Sequence, residues 1–401
     1  MNKKLSILFL WLLTALCALG ATADEALAKF IKDSGVPSGS LGVKIMDLSN
    51  GKVVAEHNPD KPLIPASIMK SITTAALLEE AGPNWNYVTK IYTDGPNHMG
   101  ILRGNIIVEG SGDPSINSGK EPFTPDIVDE IVKALEENMI TEIEGDIIID
   151  DSYLQGPTRP QSWAKADFSN YYGTASHSFN YARNAQGKSA VENPAKVFKD
   201  ALKSRIRQKG ITFGGNTLPE GKRQLLTQHV SPTLDEIMKS CMNRSDNLYA
   251  ELFLRTYGKL KGGDGSTAHA AQEETKHWQD KKMPLDGVTI VDGSGLSRTN
   301  RVTADFMTGV LDYMSENPNY AAFFPLAGLE GTMSKFLAKT PLEGYIAMKT
   351  GSMTGIQCYA GYKLDDDYVP THVVVLIMND IPANRDKVKA AAQTMLLEIF
   401  Q

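Results

Sequence analysis

A serine and a lysine stand one turn apart at the start of a strongly apolar stretch. The heptapeptide PASIMKS carries Ser67 and Lys70, and the residues after it are small or apolar almost all round a helical wheel. Positions three apart share a helix face, so the lysine ammonium can approach the serine hydroxyl. A serine needs an adjacent base to act as a nucleophile, and burial makes a lysine a better base. The pair predicts nucleophilic catalysis by Ser67 with Lys70 as its activator.

The spacing alone is weak, because Ser-x-x-Lys occurs at two other places. Ser49 and Lys52 span a predicted hairpin turn. Ser162 and Lys165 lie in a loop-rich section. Both of these pairs are most simply interpreted as solvated polar residues. A lysine whose stem packs while its head reaches solvent would also explain Lys70, so further signals are needed.

Two later tripeptides supply those signals. Ser-Asp-Asn occupies 245–247, between two helical patterns. Lys-Thr-Gly at 349–351 occurs once, at the end of a strand pattern, and Ser352 follows it. A glycine there lets a substrate lie close along the strand edge, and the lysine and hydroxyl groups can bind a carboxylate.

The first residues predict an export signal. Two lysines precede an uncharged apolar run at 5–19, and small residues suited to cleavage follow. The run is shorter than the ~20 residues that span a bilayer. We therefore expect a signal peptide at 1–23, cleaved near Ala23, and a mature protein in the periplasm, free or loosely associated with the membrane.

Composition excludes other classes of function. The chain has 41 basic and 47 acidic residues, and loss of the signal lysines makes it still more acidic. A nucleic-acid binder would show a basic face, so no nucleic-acid partner is expected. The histidines form no ligand pattern, and no glycine motif opens a dinucleotide-binding unit. We therefore expect neither a metal nor another cofactor.

The elements that must position the motifs fall into three sections. Residues 41–57 predict two strands around Asn50-Gly51, a strong hairpin signal. Three strand patterns and an amphipathic helix close the chain. The intervening section is β-rich with glycine turns. The sequence thus predicts a catalytic domain made of 24–86 and 231–401 and an inserted domain at 87–230.

Two cysteines, Cys241 and Cys358, follow the predicted signal peptide. An oxidising compartment would permit a disulfide between them. Two buried thiols are also compatible with the sequence, since so long a chain needs no disulfide framework. The pattern leaves both alternatives open.

In this order the three motifs form the set found in class A β-lactamases and penicillin-binding proteins. The chain resembles the class C low-molecular-mass penicillin-binding proteins, the serine-type D-alanyl-D-alanine carboxypeptidase/endopeptidase family, in which a large insertion separates the first two motifs. Here 245 − 67 = 178 positions separate Ser67 from Ser245. The stretches GSGDPS from Gly110, DGSGLSRTN from Asp292 and PLAGLEGTM from Pro325 are also similar to that family.

The resemblance implies an α/β fold. A β-lactamase/transpeptidase-like domain, with an antiparallel sheet flanked by helices, would carry an inserted β-rich second domain between the first two motifs. Longer members have a further small domain nested in the insertion. Here YARNAQGKSA from Tyr181 runs almost directly into the next helical pattern, so we expect that nested domain to be absent.

The resemblance also implies roles for the motif residues. Ser67 would attack the penultimate D-alanine of a peptidoglycan stem peptide ending in D-Ala-D-Ala, with Lys70 accepting its proton. Ser245 would relay a proton to the leaving D-alanine, and Asn247 would hold the peptide and orient Lys70. β-Lactam antibiotics would acylate Ser67 and act as covalent inhibitors. The terminal carboxylate and the adjoining peptide would lie against Lys349, Thr350, Gly351 and Ser352, and the amides of Ser67 and Ser352 would form the oxyanion hole.

The family uses further residues for the substrate's stem side chain, and by position these correspond to Asp150, Arg298 and Thr354. Each also has a plain structural explanation, because Asp150 can simply end a strand and Arg298 can form an ion pair.

Two other functions are weighed against the leading one. A serine β-lactamase uses the same acyl-enzyme chemistry, although no Glu-x-x-x-Asn follows Ser245 as a class A enzyme would require. A non-catalytic cell-wall-binding protein would keep the fold, yet none of the three motifs is damaged. The sequence does not determine the balance of carboxypeptidase and endopeptidase activity, the stem peptide's third residue or the oligomeric state.

Overall fold

A computed structural model describes residues 22–120 and 125–401. The predicted signal peptide therefore lies outside the described residues, except for its last two positions. At its centre is one five-stranded sheet built from both ends of the described chain, with every neighbouring pair antiparallel. In spatial order its strands are β13 (Ile346–Met353), β14 (Ile356–Leu364), β15 (Pro370–Met378), β1 (Leu41–Asp47) and β2 (Val53–His57). The predicted hairpin and the three C-terminal strands are confirmed.

The position of β15 in the middle of the sheet explains why its sequence is continuously apolar. Val373, Val375 and Ile377 pack into the core on one face of the sheet. Val374 and Leu376 pack into the core on the other face. Successive side chains of a strand point to opposite faces, so a strand covered on both sides loses the usual polar alternation.

Helices cover both faces of this sheet. On one face lie α1 (Ala23–Ser34) and the C-terminal helix α9 (Arg385–Phe400). The other face carries five helices: α2 (Met69–Ala81), α5 (Leu234–Arg244), α6 (Asn247–Leu260), α7 (Thr267–Asp280) and α8 (Ala304–Ser315). This arrangement is the predicted α/β fold, an antiparallel sheet flanked by helices.

The section between α2 and α5 has its own sheets and its own core. One sheet has the order β12 (Gln224–Val230), β3 (Val88–Thr93), β6 (Ile106–Glu109) and β8 (Ile147–Asp150). A second has the order β11 (Thr212–Phe213), β7 (Glu142–Ile143), β5 (Ile101–Leu102) and β4 (Asn97–His98). The section also contains α3 (Ile127–Glu137), the hairpin of β9 (Ala185–Gln186) and β10 (Ser189–Ala190), and α4 (Pro194–Gln208).

The chain enters and leaves this section at one place. Val88 at the start of β3 pairs with Val230 at the end of β12, and Ser231 N donates to Tyr87 O at 3.0 Å. The predicted limits at 87 and 230 fall at these strand ends. Over the described residues, no helix is both long and apolar enough to cross a membrane.

Candidate active site

Ser67 lies in a single 3₁₀ turn, Ala66–Ile68, which leads directly into α2. The helix predicted across the whole motif is therefore tightened at its first residues. Lys70 lies in the first turn of α2, and side chains three positions apart share one helix face, which keeps Ser67 and Lys70 close together. Ala66 has a φ of 47°, a left-handed conformation that is strained for a residue with a Cβ atom.

Two glycines, Gly295 and Gly351, pack closely against this turn. A Cβ atom on Gly295 would lie 1.9 Å from the Ala66 carbonyl oxygen. A Cβ atom on Gly351 would lie 2.6 Å from the Pro65 carbonyl oxygen. The glycine of the third motif is therefore needed for close packing of its strand against the nucleophile turn, a reason the sequence pattern alone did not suggest.

Lys70 is fully buried, and its ammonium group has three acceptors. Its Nζ lies 3.1 Å from Ser67 Oγ. It also donates to Asn247 Oδ1 and to the Ser294 carbonyl oxygen, both at 2.7 Å. Burial lowers the pKa of Lys70, and nearby ionisable groups partly oppose the shift. The amine is thus fixed in place and made more available as a proton acceptor.

The second motif is a break between two helices. Ser245 is the C-cap of α5 and adopts a left-handed conformation with a φ of 59°. Asp246 caps the N-terminus of α6 by accepting from Leu248 N at 3.1 Å. The break lets the Ser245 side chain leave the helix while Asn247, the first residue of α6, reaches Lys70.

The third motif places a second buried lysine near the first. Lys349 is fully buried on β13 and donates to the Thr350 carbonyl oxygen at 2.8 Å. Burial and the charge of Lys70 hold the pKa of Lys349 well below its ordinary value. The Thr350 hydroxyl donates to Thr332 Oγ1 at 2.9 Å. A bound carboxylate would offset the cost of charging Lys349.

A cavity of about 590 Å³ opens between these motifs and the inserted section. We call its two sides the motif wall and the insertion wall. The motif wall includes Ser67, Ser245, Asn247, Arg298, Ser352 and Thr354. The insertion wall is the segment 162–184 of the inserted section, in which the residues that line the cavity are Ser162, Ala164, Asp167, Tyr171 and Tyr172.

Of the three residues predicted for the stem side chain, two lie at this cavity. Arg298 Nη1 donates to the Thr354 carbonyl oxygen at 3.1 Å. Asp150 is not among the lining residues; its carboxylate accepts from Ser152 and, at 2.9 Å, from Arg223, and these bonds lower its pKa. The carboxylate that does line the cavity is Asp167, which accepts from Tyr172 Oη at 3.0 Å.

The insertion wall also holds the second motif in place, which sequence reasoning missed. Asn247 Nδ2 donates to the Tyr172 carbonyl oxygen at 2.8 Å. Arg183 donates to Asp246 Oδ2 from Nη2 at 2.6 Å and from Nε at 2.9 Å. Only the folded chain brings these residues together, since no local spacing relates positions so distant in sequence.

Asp292 organises the loop behind Lys70. Its buried carboxylate accepts from the amides of Gly295 and Ser297 at 2.8 and 2.6 Å. It also accepts from the indole nitrogen of Trp163, in the inserted section, at 2.8 Å. The resulting loop turns the Ser294 carbonyl oxygen toward Lys70.

Glu251 supports the same loop from α6. Its buried Oε1 accepts from Ser294 N at 2.8 Å. Burial, followed by repulsion from Asp292, raises the pKa of Glu251 to about 8. A carboxyl group that holds its proton near neutral pH therefore lies one peptide unit from the acceptor of Lys70.

Cys241 and Cys358 are both free and buried, so the structure has the two thiols and not the disulfide. Burial raises the pKa of each to about 12. Within the described ranges, no group of three or more His, Cys, Asp or Glu side chains is arranged to hold a metal ion.

The sheet flanked by helices, with Ser67, Lys70 and Asn247 joined by hydrogen bonds at one end, defines a β-lactamase/transpeptidase-type serine hydrolase. The chain belongs to the D-Ala-D-Ala carboxypeptidase 3 (S13) family, which it matches over residues 23–186 and 180–398. It is therefore a serine-type D-Ala-D-Ala carboxypeptidase, and the resemblance inferred from the three motifs is confirmed.

Two bacterial carboxypeptidases and one solved structure are similar to this chain over most of its length. The chain is 24% identical to the D-alanyl-D-alanine carboxypeptidase DacB of Haemophilus influenzae, over 82% of this chain and 83% of that protein. It is 22% identical to the D-alanyl-D-alanine carboxypeptidase of Actinomadura sp., over 84% and 78% respectively. Penicillin-binding protein 4 of Haemophilus influenzae has the same fold, with a TM-score of 0.82, 21% identity and coverage of 93% and 98%.

Proposed function

We propose that this protein removes the terminal D-alanine from peptidoglycan stem peptides through an acyl-enzyme on Ser67. The observation that carries the proposal is the position of Lys70, buried and 3.1 Å from Ser67 Oγ, with its remaining hydrogen bonds fixed by Asn247 and Ser294. A neutral amine held in that place can take the proton from the hydroxyl as the hydroxyl attacks.

The first half of the reaction forms an ester. Ser67 Oγ attacks the carbonyl carbon of the penultimate D-alanine, and its proton passes to Lys70. The amides of Ser67 and Ser352 are the proposed oxyanion hole, supported by the close packing of Gly351 against the nucleophile turn. Ser245, which lines the cavity, would then relay that proton from Lys70 to the amine of the departing D-alanine, which leaves Lys70 neutral again.

The second half of the reaction is hydrolysis. Water attacks the Ser67 ester, and Lys70 takes a proton from that water and returns it to Ser67 Oγ as the ester bond breaks. The shortened peptide leaves as a carboxylic acid, which ionises in solvent. The terminal carboxylate of the substrate is proposed to lie against Lys349, Thr350 and Ser352 before the bond breaks. Penicillin would form the same ester and would be hydrolysed slowly.

The stem side chain is proposed to lie beside Arg298 and Thr354. Both line the cavity, and Arg298 makes no ion pair within the described part of the chain, so its charge is available to an anionic group. For a cationic group on the stem we propose Asp167 in place of Asp150, because Asp167 lines the cavity and Asp150 pairs with Arg223.

We also propose that residues 1–23 are a signal peptide and that the protein is exported to the periplasm. Thr22 caps the first helix by accepting from Glu25 N, so cleavage near Ala23 would remove that cap. The intact mass of the protein recovered from the periplasm would show whether cleavage falls there.

The test uses labelled penicillin and a D-Ala-D-Ala peptide. We expect stoichiometric covalent labelling and release of D-alanine from the peptide, with both lost in Ser67→Ala. Labelling that survives the substitution would overturn the assignment of Ser67. Rapid turnover of penicillin without D-alanine release would favour a β-lactamase. If penicillin and the peptide both stay intact, a non-catalytic wall-binding protein would be favoured.

An endopeptidase activity is a second candidate. A predatory endopeptidase of Bdellovibrio bacteriovorus has a related fold, with a TM-score of 0.57 and 17% identity. Digestion of purified peptidoglycan separates the two activities: a carboxypeptidase releases free D-alanine, whereas an endopeptidase separates cross-linked dimers into monomers.

A further inference from the structure

Two arginines flank the end of the strand that carries the third motif. Arg385, the first residue of α9, donates from Nη2 to the Met353 carbonyl oxygen at 2.7 Å and from Nη1 to Ser352 Oγ. Arg298 donates to the next carbonyl oxygen, that of Thr354, at 3.1 Å. Within the described residues, neither arginine has a carboxylate partner. Two positive charges without a protein counter-ion therefore lie where Ser352 and Thr354 line the cavity.

The contact from Arg385 determines whether the Ser352 hydroxyl donates or accepts in this hydrogen bond. A guanidinium group can only donate hydrogen bonds, so Ser352 Oγ must be the acceptor in this pair. Its own hydrogen is then available to a third group. Because Ser352 is exposed and lines the cavity, an acceptor on a bound ligand can take that hydrogen bond.

We propose that Arg385 is a positioning and specificity residue for the carboxylate of the departing amino acid. It directs the Ser352 hydroxyl hydrogen toward that carboxylate and supplies a half-buried positive charge behind it. The inference rests on the proposed function, since it assigns a partner to the carboxylate that the reaction presents. Arg385 also lies 3.5 Å from Gln357 Oε1 on β14, so the competing explanation is a purely structural clamp at the β13–β14 hairpin.

The acylation rates of benzylpenicillin and its methyl ester separate these explanations, because the two probes differ only in the carboxylate. Intact-mass measurements under excess ligand give a second-order rate constant for each. We expect Arg385→Gln to lower the free-acid rate about tenfold and leave the ester rate nearly unchanged, a difference of ~1.4 kcal/mol. Arg385→Lys should recover part of the free-acid preference, because it keeps the charge.

Lys387→Gln is the matched control, since it removes an exposed positive charge from the same first turn of α9. It should leave both rates unchanged. An equal loss of both rates in Arg385→Gln, or no loss of either, would overturn the inference. Failure of the proposed function is a different result, because the unsubstituted protein would then react with neither probe.

Discussion

The two walls of the cavity are built in different ways. The motif wall takes its catalytic groups from short local patterns, and its central contact joins residues three apart, Ser67 and Lys70. The insertion wall takes its groups from a loop-rich section and acts on the second motif through Tyr172 and Arg183. The motif wall supplies the proposed reactive groups, while the insertion wall contacts the second motif.

Backbone strain occurs on both sides. Ala66, next to the nucleophile, has a left-handed φ of 47°. Ala182, Arg183 and Asn184 form a run of three left-handed residues, with φ of 51°, 60° and 50°. Each such residue costs roughly 1–2 kcal/mol, so surrounding contacts must compensate. Asn184 Nδ2 supplies two of them, to Ala175 O at 2.9 Å and to Asn180 Oδ1 at 2.7 Å.

The largest expected effect lies on the motif wall. Lys70→Met should lower the rate of acylation by labelled penicillin by roughly 10²–10⁴, because the base for Ser67 is lost. The matched control is Lys52→Met, which removes an exposed lysine with the same Ser-x-x-Lys spacing on the β1–β2 hairpin. The control should acylate at the original rate. If the two variants were acylated at equal rates, Lys70 would not be the base for Ser67.

The next effect lies on the insertion wall. Arg183→Met leaves the buried Asp246 carboxylate without its cation, so the free energy of unfolding should fall by about 3 kcal/mol. Because Asp246 caps α6 beside Asn247, acylation by penicillin should slow as well. Urea unfolding and acylation kinetics measure the two changes.

Arg205→Met is the control for this pair, because Arg205 and Asp129 form an ion pair in the same inserted section with side chains 41% and 55% exposed. Its effect on unfolding should be within ~1 kcal/mol. If Arg183→Met resembled the control in both measurements, the insertion wall would not position the second motif.

The last comparison concerns the pH dependence of stability and involves two buried glutamates, Glu251 on α6 and Glu274 on α7. Burial is the main cause that raises the pKa of Glu251 and of Glu274 from 4.5 to about 8 in the folded protein. Each carboxyl therefore favours the folded state fully below pH 4.5, and that contribution is lost as the pH rises to about 8. Relative to the original protein, Glu251→Gln and Glu274→Gln should each gain stability over this interval, by up to ~1.4 kcal/mol per pH unit.

The two glutamates differ in their relation to Lys70. Glu251 bonds to Ser294 N, and its ionised form, which appears as the pH rises through about 8, raises the pKa of Lys70. We therefore expect Glu251→Gln to move the rise of the acylation rate to lower pH and Glu274→Gln to leave it in place. Acylation rates from pH 5 to 9, beside urea unfolding at each pH, test both statements. If the two variants had identical pH profiles of the acylation rate, Glu251 would have no influence on the pKa of Lys70.

Local patterns determined a large part of the fold. The Asn50-Gly51 hairpin, the three C-terminal strands and α9 follow directly from alternation and helical periodicity. The β-rich middle section was predicted from its strand patterns and glycine turns. The strand patterns at the two ends of the chain also predicted that both ends share one antiparallel sheet. The particular pairing of β1 with β15 was not predicted, because periodicity does not indicate which strands are neighbours.

The sequence by itself also predicted the candidate reactive residues, because Ser67 and Lys70 lie within one turn and the other two motifs are short and ordered. Only the tertiary structure showed that Gly351 packs on the nucleophile turn, that Asp167 and not Asp150 lines the cavity, and that Arg385 contacts Ser352. The physical reason is distance along the chain. Packing and charge compensation between remote segments leave no recognisable spacing in the sequence. A nucleophile and its base on one helical turn, by contrast, lie a fixed three positions apart.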